Sequence, residues 1–160
     1  MGAVLVKKIE LDDLDQRIID RLAEDATLSN RKIARDFGLT EGTIRARLKR
    51  LLEAKAIRVT AVTNVARLRN PILAYLWIEV DAACHVDTVA KVLSTLPEIT
   101  FVAVMLGRCD VLAMTLVEDA DGLTHFLHGT IDKIPGVHRV QYTLCQQFIK
   151  HDFRWCAIVD

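Results

Sequence analysis

Residues 41–50, "EGTIRARLKR", place three guanidinium groups (Arg45, Arg47, Arg50) and one ammonium (Lys49) on a short stretch that also carries Thr43 and the small residues Gly42 and Ala46. Such a set suits a polyanion: arginine reaches guanine edges or phosphate, threonine bonds to either, and small residues let a helix sit deep in a groove. Just upstream, Asp36-Phe37-Gly38 spells the magnesium-binding triplet of protein kinases. A kinase needs a glycine-rich strand-loop, a paired lysine and a catalytic-loop aspartate before that triplet, and only 35 residues precede it, so the match is coincidental.

The chain has 160 residues, 51% of them apolar, enough for one ordinary domain or two small ones with real cores. Lys+Arg and Asp+Glu balance at 21 each, so no overall field draws the molecule onto nucleic acid. The distribution is uneven. From Ser29 to Arg58 there are nine bases against three acids, while Glu10 to Asp25 holds seven acids against Arg17 and Arg21. An acidic helix thus precedes a basic hairpin, a polarity that can point one face at a polyanion. The four cysteines (84, 109, 145, 156) form no C-x-x-C and no metal-like pairing with the five histidines, which fits reduced thiols, no metal and no cofactor. Met1 to Val6 is too short for a signal core and no run reaches a membrane span, so a soluble cytoplasmic protein is expected.

These residues need elements to position them. Leu11, Leu14, Ile18, Ile19 and Leu22 recur at helical spacing behind a capping Asp12. Ser29 caps a second helix, with Leu28 stapled on Ile33, and Gly38 stops it; Thr40 caps a third, with Leu39 stapled on Ile44. With Ile44, Leu48 and Leu51 inward, steps of about 100° put Gly42, Thr43, Ala46, Lys49 and Arg50 outward, with Arg45 and Arg47 flanking. Amides exposed near Thr40 favour phosphate. Ala34, Gly38 and Ile44, at offsets of four and six, supply the small contact residue, the glycine turn and the β-branched core residue of a helix-turn-helix. The β-branched "IRVTAVTNV" then suits a strand or a two-stranded wing, and "ARLRNP" marks a boundary.

From Leu73 the order is strand, helix, strand, a turn at "GRCD", strand, helix, strand. The expected fold class is α+β: a winged helix-turn-helix at 1–64, a linker at 65–72, and at 73–160 a βαββαβ ferredoxin-like domain of the RAM or ACT type. Leu73 to Leu76, Val102 to Leu106 and Val111 to Val117 are apolar on both strand faces, so something covers the open side of the sheet. A second copy is the economical cover, and a homodimer is expected.

The run "LDDLDQRIIDRLAEDATLSNRKIARDFGLTEGTIRARLKRLLEAKAI" resembles the N-terminal domain of the Lrp/AsnC feast/famine transcriptional regulators, and the remainder, with Gly107-x-x-Asp110 between its central strands, resembles their effector domain. The resemblance implies binding to double-stranded DNA through Thr40, Gly42, Thr43, Arg45, Ala46, Arg47, Lys49 and Arg50. It also implies dimers made through the sheets, often assembled into octamers, and an amino-acid effector near Leu106, Gly107, Arg108 and Asp110. At that turn Gly107 can offer an amide to a carboxylate and Asp110 can pair with an α-ammonium. Alternatively Gly107 takes positive φ in a hairpin turn and Asp110 caps a backbone amide. Two departures stand out: Lys55 replaces a helix-ending glycine, and the usual Gly-Tyr of the wing is missing. Competing readings are a siroheme-type haem-pathway decarboxylase, for which "GRCDVL" shows no acid–base pair, and an effector-sensing module without DNA binding. The segment "KHDFRWCAIVD" is expected to add an edge strand, with Trp155 on a neighbour.

Overall fold

The structure, a computed structural model, describes residues 9–67, 71–150, 152 and 156–158. Two compact units are present, one reaching to Val62 and one spanning Thr63–Lys150.

The first unit holds α1 (Asp13–Glu24), α2 (Asn30–Phe37) and α3 (Glu41–Glu53). Each starts on a polar cap that satisfies an otherwise orphaned amide. Asp12 and Asp15 cap reciprocally, Asp12 accepting from the Asp15 N–H at 2.9 Å and Asp15 from the Asp12 N–H at 3.1 Å. The hydroxyls of Ser29 and Thr40 accept from Lys32 and Thr43. Gly38, at φ 68°, makes the left-handed turn between α2 and α3, where a Cβ would be strained. Ile18, Ile33, Ala34 and Ile44 form the core, with Leu14, Leu22, Leu28, Phe37 and Leu48 around it. Arg21 on α1 reaches Asp36 on α2 at 3.5 Å.

The exit from α3 is unusual. The Ala56 N–H donates to the Leu51 carbonyl at 2.9 Å and the Lys55 N–H to that of Leu52 at 3.0 Å, a closure that demands a left-handed residue between them. Lys55 takes that conformation, at φ 53°, without being glycine. The expected wing is not there: residues 57–64 form no strand, and Arg58 through Asn64 are exposed. Strand composition alone does not make a strand, since β-branched residues favour one only when another strand takes up their backbone groups.

The second unit contains β1 (Ile72–Val80), α4 (Val86–Ser94), β2 (Ile99–Val104), β3 (Val111–Val117), α5 (Ala120–Gly129) and β4 (Val137–Leu144), with 3-10 turns at Val65–Arg67 and Ile131–Lys133. The sheet order is β2-β3-β1-β4 and every pairing is antiparallel. This is the βαββαβ sandwich, with β2 and β4 ending earlier than their apolar runs suggest and the second helix closing in a 3-10 turn. One face of β1 and β3 (Ala74, Leu76, Ile78, Val111, Ala113) is buried together with Val89 and Leu93 of α4 and Leu123, Phe126 and Leu127 of α5. The opposite face pairs Tyr75 with Met114 and Trp77 with Leu112, and β2 adds Phe101, 44% exposed, beside Met114. Trp155 and most of the C-terminal segment lie outside the described residues; positions 152 and 156–158 carry no strand.

A left-handed residue with a Cβ costs about 1–2 kcal/mol, against a smaller loss from glycine's greater freedom when unfolded. Lys55→Gly should therefore raise unfolding stability by about 0.5–1 kcal/mol. Urea titration followed by circular dichroism checks this, and a lower midpoint would contradict the strain reading.

Candidate functional site

On α3, Ile44 and Leu51 have no exposed surface and Leu48 packs against the core, so the stripe through them points inward. Thr40, Gly42, Arg45, Ala46, Lys49 and Arg50 are exposed, and Thr43 and Arg47 are half-buried. The Thr40 and Thr43 hydroxyls lie 2.9 Å apart. The outward surface at the start of α3 is therefore two hydroxyls beside two small residues, low enough for another molecule to approach closely.

The charged groups are arranged differently from a simple helical projection. Arg45 bonds Glu41 one turn earlier, and Lys49 stands 3.7 Å from Glu53. Both pairs are exposed and of the i,i+4 kind, each worth only about 0.3–0.5 kcal/mol and readily exchanged. Arg47 and Arg50 turn to α1 instead. Arg47 bonds Asp12 and also reaches Asp15 at 3.2 Å; Arg50 bonds Asp15, whose side chain has no exposed surface. Arg50 is exposed and Arg47 flanks it, as the projection places them, but both guanidinium groups are engaged by the carboxylates of Asp12 and Asp15. A helical wheel sees one helix at a time and cannot show a partner supplied by another.

The electrostatics follow the geometry. The Asp15 backbone N–H, then Arg47, hold the Asp12 carboxyl down to a pKa of about 2. Burial works to raise Asp15, but bonds from Arg50, the Asp12 backbone N–H and Arg47 together outweigh it and leave the group below its ordinary value. Asp12 first, then Asp15, raise Arg47 in turn.

Basic residues that the α3 projection missed stand on α2. Arg31, Lys32 and Arg35 are exposed and line a cleft of about 540 Å³ with Ser29, Leu39 and Glu41. The same projection applied to α2, with Ile33, Ala34 and Phe37 inward, would have found them.

In the second unit, the turn from β2 to β3 carries Leu106, fully exposed, and Gly107 at φ 136°, a backbone open to glycine alone. Asp110 accepts the Val80 N–H at 2.8 Å, while its own N–H donates to the Ile78 carbonyl at 3.0 Å, so it ties the turn to the end of β1. That is the amide-capping arrangement. Arg108 leans the other way, its guanidinium carbon 4.7 Å from the centre of the Trp77 ring. The turn thus offers an exposed glycine amide and a cation over an indole, with the carboxylate at its base. Among the described residues no cluster of three or more His, Cys, Asp or Glu could hold a metal ion, and no helix is long and apolar enough to cross a membrane.

Comparison with known proteins adds the following. Residues 11–52 match the AsnC-type helix-turn-helix domain, and residues 68–158 match the PF0864 C-terminal dimeric alpha+beta barrel domain of the AsnC-type regulators. The HTH-type transcriptional regulator FL11 of Pyrococcus furiosus is 35% identical over 131 residues, 80% of this chain and 86% of its own length. An uncharacterized HTH-type transcriptional regulator of Pyrococcus abyssi, PYRAB01370, is 30% identical over 139 residues, 86% and 87% of the two chains. Among solved structures, E. coli AsnC superposes with a TM-score of 0.82 at 20% identity, covering 91% of this chain and 99% of its own. The Neisseria meningitidis transcriptional regulator NMB0573, in complex with L-Met, gives a TM-score of 0.82 at 22% identity over 92% and 97%. The M. tuberculosis feast or famine regulatory protein, complexed with L-methionine, gives 0.80 at 20% over 90% and 97%.

The ion-pair cluster makes the first unit sensitive to acid. Because folding depresses both aspartate pKa values, their stabilisation is fully present above the unfolded value near ~4 and is lost as pH falls through the folded value, about 2 for Asp12. Asp15→Asn should cost about 1–3 kcal/mol at pH 7, less than a fully buried pair, because the two arginines can turn to water. It should also flatten the loss of stability below pH 4. Denaturant unfolding of both proteins across pH 2–7 measures this; equal stabilities at pH 7 would contradict it.

Proposed function

The chain belongs to the Lrp/AsnC family of transcription regulators, and from that premise we propose that it is a sequence-specific DNA-binding regulator responding to a small amino acid or related metabolite. The family is one of regulators and not of enzymes, so the decarboxylase alternative falls away. The observation that carries the DNA reading is the exposed, low-relief start of α3, where Gly42 and Ala46 adjoin Thr40 and Thr43. That surface lets the helix enter a major groove, with Thr43 bonding a base edge or phosphate. Lys49 joins by exchanging a weak surface partner for phosphate, while Arg45, paired with Glu41, flanks the groove. Arg47 and Arg50, held by Asp12 and Asp15, keep α3 in place. The protein works in the cytoplasm, where its DNA is.

The effector belongs at the β2–β3 turn. The Neisseria and M. tuberculosis regulators of this fold were solved with L-methionine, which supports an amino acid as the ligand class. In this chain the Gly107 amide and Arg108 suit an α-carboxylate, Leu106 supplies apolar contact, and Asp110 suits the α-ammonium while bracing the turn against β1. The open sheet face of Tyr75, Trp77, Phe101, Leu112 and Met114 supports a homodimer closed sheet to sheet, in keeping with the dimeric description of the matching domain family. Higher assembly to an octamer would bring the turns of several dimers together. In this reading 1–64 bind DNA, 65–72 link, and 73–160 sense and dimerise.

Three outcomes check this. Ala46→Glu should abolish retention of any duplex in an electrophoretic shift while changing stability by only a few tenths of a kcal/mol, roughly the difference in helix propensity; a variant that still binds would remove α3 from the groove. A thermal-shift screen with the twenty amino acids should find one that adds ~2.7 kcal/mol at 100 times its dissociation constant. That gain should vanish in Asp110→Asn, and a flat screen would dismiss the effector reading. Met114→Lys should shift the protein toward monomers in sedimentation velocity, and unchanged mass would remove the sheet-to-sheet dimer.

A further inference from the structure

We propose that the principal phosphate grip of this protein is on α2, through Arg31, Lys32 and Arg35, and that the arginines of α3 are largely spent on the protein itself. The inference rests on the DNA-binding reading and assigns its electrostatic part to residues outside the reading helix.

Every basic side chain of α3 has a carboxylate within 4 Å: Arg45 has Glu41, Arg47 has Asp12 and Asp15, Lys49 has Glu53, and Arg50 has Asp15. Those charges are already offset before a polyanion arrives. On α2 the balance is opposite. Among the described residues no carboxylate lies within 4 Å of Arg31 or Lys32, and Arg35 has only Asp36 at 3.9 Å, an acid that Arg21 also holds at 3.5 Å. A cation with no close partner gives up little when it meets a phosphate, whereas Arg50 would withdraw one of the two arginines that offset the buried carboxylate of Asp15.

Position agrees with charge. Ile33 and Ala34 are buried, so Arg31, Lys32 and Arg35 project from the outer side of a helix whose inner side is fixed in the core. All three border one cleft of about 540 Å³, room for a sugar-phosphate unit. The cleft's far wall is Leu39 and Glu41, immediately beside Thr40 and Gly42, so a duplex read by α3 continues into it. The one carboxylate in that wall, Glu41, is clasped by Arg45, which removes most of its repulsion toward a phosphate. Arg45 thus acts as a shield for the cleft as well as a neighbour of the groove. Charge complementarity and continuity with the α3 face select one occupant, the sugar-phosphate backbone of double-stranded DNA.

Phosphate contacts leave a signature separate from base reading: each one lost lowers the magnitude of the slope of log K against log salt by about 0.9 and weakens all sequences alike. The experiment uses the full-length chain, with a duplex selected from a random pool and an unselected random duplex, between 50 and 200 mM salt. Arg31→Gln, Lys32→Gln and Arg35→Gln are nearly neutral in helix propensity and exposed, so circular dichroism and thermal midpoints should stay at wild-type values. In the proposed dimer each residue occurs twice, so each variant should reduce the slope by about 1.8 and the triple variant by about 5.4, with equal fractional loss on both duplexes. Wild-type binding with a slope unchanged in the triple variant would overturn the clamp and leave the DNA reading intact. A wild-type protein that retains neither duplex at 50 mM salt would overturn both.

Discussion

The carboxylate of Asp15, with no exposed surface of its own, is bonded to two arginines from another helix and to the amide of the residue that caps its own. A lone buried anion of this kind would be costly, and this one is tolerated because each of its oxygens meets a donor. The consequence is geometric. Asp12 and Asp15 on α1 fix the middle and end of α3, so the orientation of the helix is set by charge as well as by the packing of Ile18 against Ile33 and Ile44. Whatever the start of α3 touches, it touches from a fixed angle.

That constraint separates three tasks that a single basic helix could otherwise share. In the proposed reading the inner arginines position α3, the low-relief residues at its start admit a partner, and Arg31, Lys32 and Arg35 of α2 supply the field. On that reading a chain with no net charge binds a polyanion because Asp12, Asp15, Glu41 and Glu53 stand against the bases of α3, while among the described residues Arg31 and Lys32 have no carboxylate within 4 Å. The second unit follows a comparable economy. Asp110 braces the turn against β1, leaving Gly107 and Arg108 as the parts of the turn that face outward.

Much of this was legible in the sequence, and the parts that were not share a cause. Asp12, Ser29, Thr40 and Gly38 declare themselves because caps and left-handed turns depend on neighbours a few residues away. The βαββαβ order follows from the switch between alternating and helical periods, and the excess apolar surface of the sheet from strands greasy on both faces. The bonds of Arg47 and Arg50 to the carboxylates were not legible because those partners stand over thirty positions earlier in the chain. The basic cleft escaped notice because attention to α3 left the outer side of α2 unprojected. The wing failed for a related reason: "IRVTAVTNV" has strand composition, but strand formation depends on a partner that composition does not supply. At the turn, the Val80 amide that Asp110 accepts from stands thirty positions earlier, so that bond was not legible either.

The claim on which the rest depends is that Arg50 serves the fold through Asp15. A double-mutant cycle tests it most directly, with unfolding free energies measured for wild type, Asp15→Asn, Arg50→Gln and the double variant. The account predicts a coupling energy of about 1 kcal/mol or more, in the range seen for residues in one ion-pair network. Additive losses, with coupling below about 0.3 kcal/mol, would show that the two side chains act independently and would return Arg50 to the surface facing DNA.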